Sequence, residues 1–101
     1  MINFEDYAAI SEKYGFTVIG DFVYLDKTYS SRNQICTFFS NREVRIYPIM
    51  KIYYNNMEIY TKDTSKKVGT IKTFERELKK IKENYIKLKT ELKLHNIDKD
   101  F

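Results

Sequence analysis

Cys36 and His95 are the only cysteine and the only histidine in the chain, so any thiol or imidazole chemistry has to come from these two. A nucleophile needs its base within hydrogen-bond reach, and nothing in the spacing brings "QICTFFS" (residues 34–40) up to "LKLHNI" (residues 92–97). A lone cysteine cannot close an internal disulfide, which points to a reducing, cytoplasmic setting. In its apolar surroundings the thiol is expected to be buried rather than reactive. Carboxylate pairs fare no better, because Glu5 with Asp6, Glu43 and Glu58 fall on separate expected elements. No Cys/His cluster has zinc spacing, no acidic run has the form of a calcium loop, and the three glycines are too scattered to cradle a phosphate. The expectation is a non-catalytic chain with no cofactor and no metal.

Cations interleaved with aromatics offer a different chemistry. In "REVRIYPIMKIYYNN", residues 42–56, a period of two sets Val44, Ile46, Met50, Ile52 and Tyr54 against Arg45, Tyr47, Ile49, Lys51 and Tyr53. On the second face Arg45 and Lys51 would neutralise phosphates while Tyr47 and Tyr53 stack on bases, the combination that binds single-stranded DNA or RNA. Tyrosines half-burying their rings on a sheet kept soluble by Lys and Arg would leave the same pattern. Pro48 cannot donate to a ladder, so it marks this strand as an edge or puts a bulge there.

The second candidate surface is a seam. "TIKTFERELKKIKENYIKLKTELKLHNI", residues 70–97, repeats an apolar side chain every three and then four positions through Ile71, Phe74, Leu78, Ile81, Tyr85, Leu88 and Leu92, with His95 next in register. This is a heptad pattern on a helix about 39 Å long, against ~17–20 Å for a typical strand. A sheet would cover only half of it. Tyr85, Leu88 and Leu92 would then stand in water unless that half bends back or a partner covers it, so Ile81, Tyr85, Leu88, Leu92 and His95 are the expected partner or dimer interface. In a parallel homodimer Glu77 would face Lys82 of the other copy, while Asn84 with Lys89 and Glu91 with Asn96 would be neutral. Ile86, Leu94 and Ile97 lie off the seam, which suggests that the C-terminal half is covered on two sides. The competing reading is the core face of an ordinary amphipathic helix.

The elements that position these residues can be read from caps and turns. Asn3 and Gly15 bracket a short helix over residues 4–14. Gly20-Asp21 joins two strands in a tight hairpin, "DKTYSSRN" (residues 26–33) is a loop, "QICTFFS" a third strand, residues 43–54 a fourth and "MEIYT" (residues 57–61) a fifth. "KDTSKKVG", residues 62–69, is a polar connector. The fold class is α+β: short helix, antiparallel sheet of about five strands, long C-terminal helix. Residues 1–69 and 70–97 belong to one domain, with 98–101 as a tail. Through "VRIYPIMKIYY" and "KKVGTIKTFERELKKI" the plan is similar to single-strand-binding domains that follow a curved antiparallel sheet with a dimerising helix.

Composition bounds the partners. Of the formal charge of +4, the whole surplus falls on residues 70–97, which hold eight Lys or Arg against four Glu. Lys, Ile, Asn, Tyr and Phe make up 49 of the 101 residues, the mark of an AT-rich genome, so part of the lysine excess is compositional. The N-terminus lacks the form of a signal peptide, and no apolar run reaches the ~18 residues of a membrane span. The sequence thus leads to a small interaction protein of phage or mobile-element type. It would bind a host protein stoichiometrically, for example as an inhibitor of a bacterial defence system, and would be a homodimer through its C-terminal helix. A single-stranded nucleic-acid binder is the alternative.

Overall fold

The computed structural model describes residues 1–27 and 31–99, with the backbone alone for Ser31 and residues 96–99. Helix α1, Phe4–Lys13, starts where the Asn3 side chain accepts the Asp6 N–H at 2.8 Å and carries Glu5 and Asp6 in its first turn. Gly15, at φ 84°, ends it; a Cβ there would lie 2.9 Å from the Lys82 Nζ. Strands β1, Thr17–Ile19, and β2, Phe22–Tyr24, follow, joined by Gly20-Asp21 with Gly20 at φ 58°. Of the expected loop, residues 28–30 lie outside the described residues and Ser31–Asn33 form one 3-10 turn. The remaining elements are β3, Gln34–Phe38; β4, Val44–Ile46; β5, Met50–Tyr53; β6, Glu58–Thr61; β7, Lys66–Val68; and α2, Ile71–Lys99. Of the tail read at 98–101, residues 98 and 99 belong to α2, and 100 and 101 lie outside the described residues.

The architecture is α+β, with a five-stranded antiparallel sheet in the order β1-β2-β3-β4-β7 and a separate two-stranded sheet of β5 and β6. Two expectations are corrected. The single strand over 43–54 is two strands in two sheets, and Pro48 is neither an edge nor a bulge: it has no N–H for a ladder, and the chain leaves the main sheet around it. Tyr47 still donates to the Ile35 carbonyl (2.8 Å), and beyond the proline the Ile49 carbonyl accepts from Lys62 (2.7 Å). The connector over 62–69 contains β7, which pairs with β4 and makes β4 an interior strand. Val68 is buried there beside Val44.

One face of the main sheet carries the core. The cross-strand row Val18, Val23, Cys36, Ile46 and Lys66 points to the helices, and its last member makes a 3.0 Å ion pair with Glu77 on α2. Tyr7 of α1 stacks on Phe74 of α2 at 5.5 Å and donates its hydroxyl to the Asp21 carbonyl at 2.8 Å. Ile35 is the extra residue of a bulge, skipped between the Val23–Cys36 and Tyr24–Gln34 pairs, and it too is fully buried.

The seam of α2 faces its own chain. Phe74, Leu78 and Ile81 are fully buried, whereas Ile71 is 39% exposed. Tyr85 and Leu88 are half-buried against the same core, Leu92 shares a shallow pocket with Met57 and Ile59, and His95 packs on Tyr54 at 4.6 Å. The expectation that Tyr85, Leu88 and Leu92 stand in water is therefore corrected, because the β5–β6 hairpin extends the cover beyond the main sheet. Glu77, expected to face Lys82 of another copy, is buried and paired within the chain. Ile86 and Leu94 are covered on no second side, being 53% and 57% exposed; the Asn96 and Ile97 side chains lie outside the described residues. No helix among the described residues is long and apolar enough to cross a membrane.

Candidate nucleic-acid interface

With both helices on one face, the other face of the main sheet is covered by neither; its ends are exposed, while Thr37 at its centre is buried beneath its neighbours. One row of directly opposed residues crosses all five strands on that face: Ile19, Phe22, Thr37, Arg45 and Lys67. A second row, Thr17, Tyr24 and Gln34, runs beside it. Direct opposition in an antiparallel ladder puts side chains on the same side, close enough to touch, so the face is graded. Ile19 (40% exposed) and Phe22 (41%) lie at one end, with the Tyr24 ring 6.5 Å from that of Phe22. Thr37 is in the middle, accepting a hydrogen bond from Gln34 Nε2 at 2.6 Å. The cations Arg45 and Lys67 lie at the other end.

Glu43 organises that cationic end. Its Oε1 lies 3.1 Å from Arg45 Nη2 and 3.4 Å from Lys67 Nζ, and Arg45 Nη1 also donates to Ser65 Oγ at 3.4 Å. Partial desolvation alone would raise the Glu43 carboxyl pKa; Lys67 and Arg45 outweigh it and hold the group below the usual carboxylate range. One carboxylate between two cations keeps the guanidinium and the ammonium in place and leaves a net positive charge.

The four residues read as one strand face are divided between two sheets and the link that joins them. Arg45 belongs to β4 and Tyr47 to the link after it, while Lys51 and Tyr53 lie on β5. On the β5–β6 hairpin Lys51 pairs with Tyr60 and Tyr53 with Glu58, so these four share the hairpin's outer face, with Met50 buried on the other. Arg32, from the 3-10 turn, packs 5.2 Å over the Tyr60 ring, and the Tyr60 and Tyr53 rings lie 4.7 Å apart. Phe22, Tyr24, Arg32, Tyr60 and Lys67 are thus members of these surfaces that local pattern did not single out. The alternation of Phe22 and Tyr24 with Val23 in "DFVYLD" was the one available signal.

The remaining candidate groups stay apart. Cys36 is fully buried, and burial pushes its thiol well above its ordinary pKa, so it is held as the unreactive thiol. His95 meets Tyr54 on the far half of α2. Burial, and then the charge of Asp26 3.5 Å away, raise the Tyr85 phenol. Among the described residues no three His, Cys, Asp or Glu side chains gather as a metal site. Compared with family models, curated proteins and solved structures, the chain matches none.

Proposed function

We propose that this protein is a non-catalytic, cytoplasmic binding protein that lays a single strand of DNA or RNA across the open face of its five-stranded sheet. The observation that carries the reading is the row Ile19, Phe22, Thr37, Arg45 and Lys67 on the face that neither helix covers. Each base stacked on an aromatic ring contributes ~1–3 kcal/mol, and each phosphate met by a cation releases a counterion. The work is therefore shared between an apolar end that holds bases and a charged end that holds backbone. Fluorescence anisotropy with a single strand of about 20–30 nucleotides tests it. Phe22→Ala should weaken binding about five-fold or more at every salt concentration. Arg45→Ala should weaken it chiefly at low salt and reduce the slope of log affinity against log salt by about 0.7. Absence of wild-type binding at about 50 mM salt would remove the reading.

A second reading is favoured by the exposed Ile86, which lines a shallow patch with Lys89, Thr90 and Lys93, and by the exposed Leu94 on the same helix. Here an acidic host protein or a second copy docks on the outer side of α2, as in a stoichiometric inhibitor of mobile-element type. Light scattering and affinity capture after nuclease treatment, each repeated on Ile86→Asp with Leu94→Asp, separate the two readings. Capture that survives nuclease and disappears with these substitutions supports the protein partner.

A further inference from the structure

A groove of about 390 Å³ lies where the uncovered face of the main sheet meets the end of β6 and the segment after it, lined by Arg32, Gln34, Tyr47, Thr61, Lys62 and Asp63. Its walls are fixed from within. The Thr61 hydroxyl reaches the backbone carbonyls of Arg32 (3.0 Å) and Gln34 (2.9 Å), and the Lys62 N–H holds the Ile49 carbonyl at 2.7 Å. These bonds tie β6 to the start of β3 and to the segment after Pro48. Arg32 lies over Tyr60, whose ring packs on Tyr53, so the planar cation continues a column of flat groups. Gln34, on the main-sheet face beside Thr37, reaches the groove from the other side.

The chemistry of the lining discriminates between the two parts of a nucleotide. A phosphate would gain from Arg32 and Lys62 but would meet the Asp63 carboxylate. A neutral base has no such conflict: a guanidinium plane and a phenol ring are surfaces on which single-stranded bases stack, and a carboxylate accepts from an exocyclic amino group as Asp does from cytosine N4. Lys62 then supplies a donor for a ring acceptor, while the Gln34 amide N–H groups are held by Thr37 Oγ1 and the Cys36 carbonyl. Thymine and uracil present a carbonyl where cytosine presents the amine, so they lose that bond and set oxygen against oxygen.

We infer that this groove is a base-binding subsite, taking one unstacked, amino-bearing base from the strand on the main sheet and selecting cytosine over thymine. The inference rests on the nucleic-acid reading above. Oligodeoxycytidine and oligodeoxythymidine of about 12 nucleotides, nearly equal in size and charge, are titrated into the full chain and into Asp63→Ala and Phe22→Ala. The wild type should bind the cytidine strand about five-fold or more tightly. Asp63→Ala should bring the two within about two-fold of each other, and Phe22→Ala should weaken both alike while keeping the preference. Equal wild-type affinities, or a preference that survives Asp63→Ala, overturn the subsite even where Phe22→Ala proves that the sheet is used. If neither strand binds, the subsite falls together with the reading it rests on. Because Asp63 is exposed, its replacement leaves the fold intact, and circular dichroism checks that.

Discussion

Phe74, Leu78 and Ile81 are each no more than 1% exposed, whereas Tyr85, Leu88 and Leu92, set in the same repeat further along α2, are only half-buried. The first group lies inside the core between the main sheet and α1, the second at its margin beside the β5–β6 hairpin. A heptad repeat fixes which side of a helix turns inward; how deep that side goes depends on the breadth of what lies beneath it. Two strands alone are marginal, so the far end of the molecule holds together by a few ring and methyl contacts, and the near end by a closed core.

The sharpest way to break this comparison is to delete the same atoms from both halves. Leu78→Ala should cost about 2–5 kcal/mol in urea denaturation, and Leu88→Ala about 1 kcal/mol; equal losses would show one uniform core. Hydrogen exchange sharpens it further. Amides of β5, β6 and the last turns of α2 should exchange by local opening while those of β2 to β4 wait for global unfolding, and Leu92→Asp should widen that gap.

Smaller effects test the surfaces. Glu43→Gln releases Arg45 and Lys67 from the carboxylate that keeps them in place and should lower single-strand affinity about two-fold, whereas a gain would show that the charge of Glu43 outweighs its positioning of the cations. Ile86→Asp and Leu94→Asp should leave stability within about 0.5 kcal/mol of wild type, in contrast to any seam residue between 74 and 92. The smallest effect lies in acid. Hydrogen bonds from Lys13 and Tyr14, and then the Lys13 charge, hold the Glu75 carboxyl below its usual range. Its folded pKa is thus depressed, so its contribution is present above the unfolded value of about 4.3 and is lost as pH falls through the folded one. Glu75→Gln should flatten that acid arm slightly in thermal melts collected against pH.

Local signals were enough for the caps at Asn3 and Gly15, the turn at Gly20 and the inward side of α2, because each depends on residues within a few positions of one another. They could not show that the chain changes sheets at Pro48, since a proline that breaks a ladder looks the same whether the strand resumes beside it or elsewhere. Strand β7 escaped because "KKV" has only one buried residue to reveal its period, its partner Val44 lying 24 positions earlier. The open-face row was the least legible of all: Ile19, Phe22, Thr37, Arg45 and Lys67 become neighbours only through four successive strand registers.

Because Ile46 stands directly opposite Lys66, everything between them leaves the main sheet and returns to the same point, and this bears on the order of assembly. Closing β4 onto β7 across a slack segment carries a loop-entropy cost that rises by about 0.6 kcal/mol with each doubling of length. Zipping the hairpin from Met50 to Thr61 first would remove most of that slack, an order of assembly that refolding kinetics test. The hairpin turn is then a kinetic control point, and it contains Met57 at φ 55°, a left-handed backbone that costs a side-chain-bearing residue about 1–2 kcal/mol. Met57→Gly should therefore speed refolding in stopped-flow measurements while leaving the unfolding rate nearly unchanged.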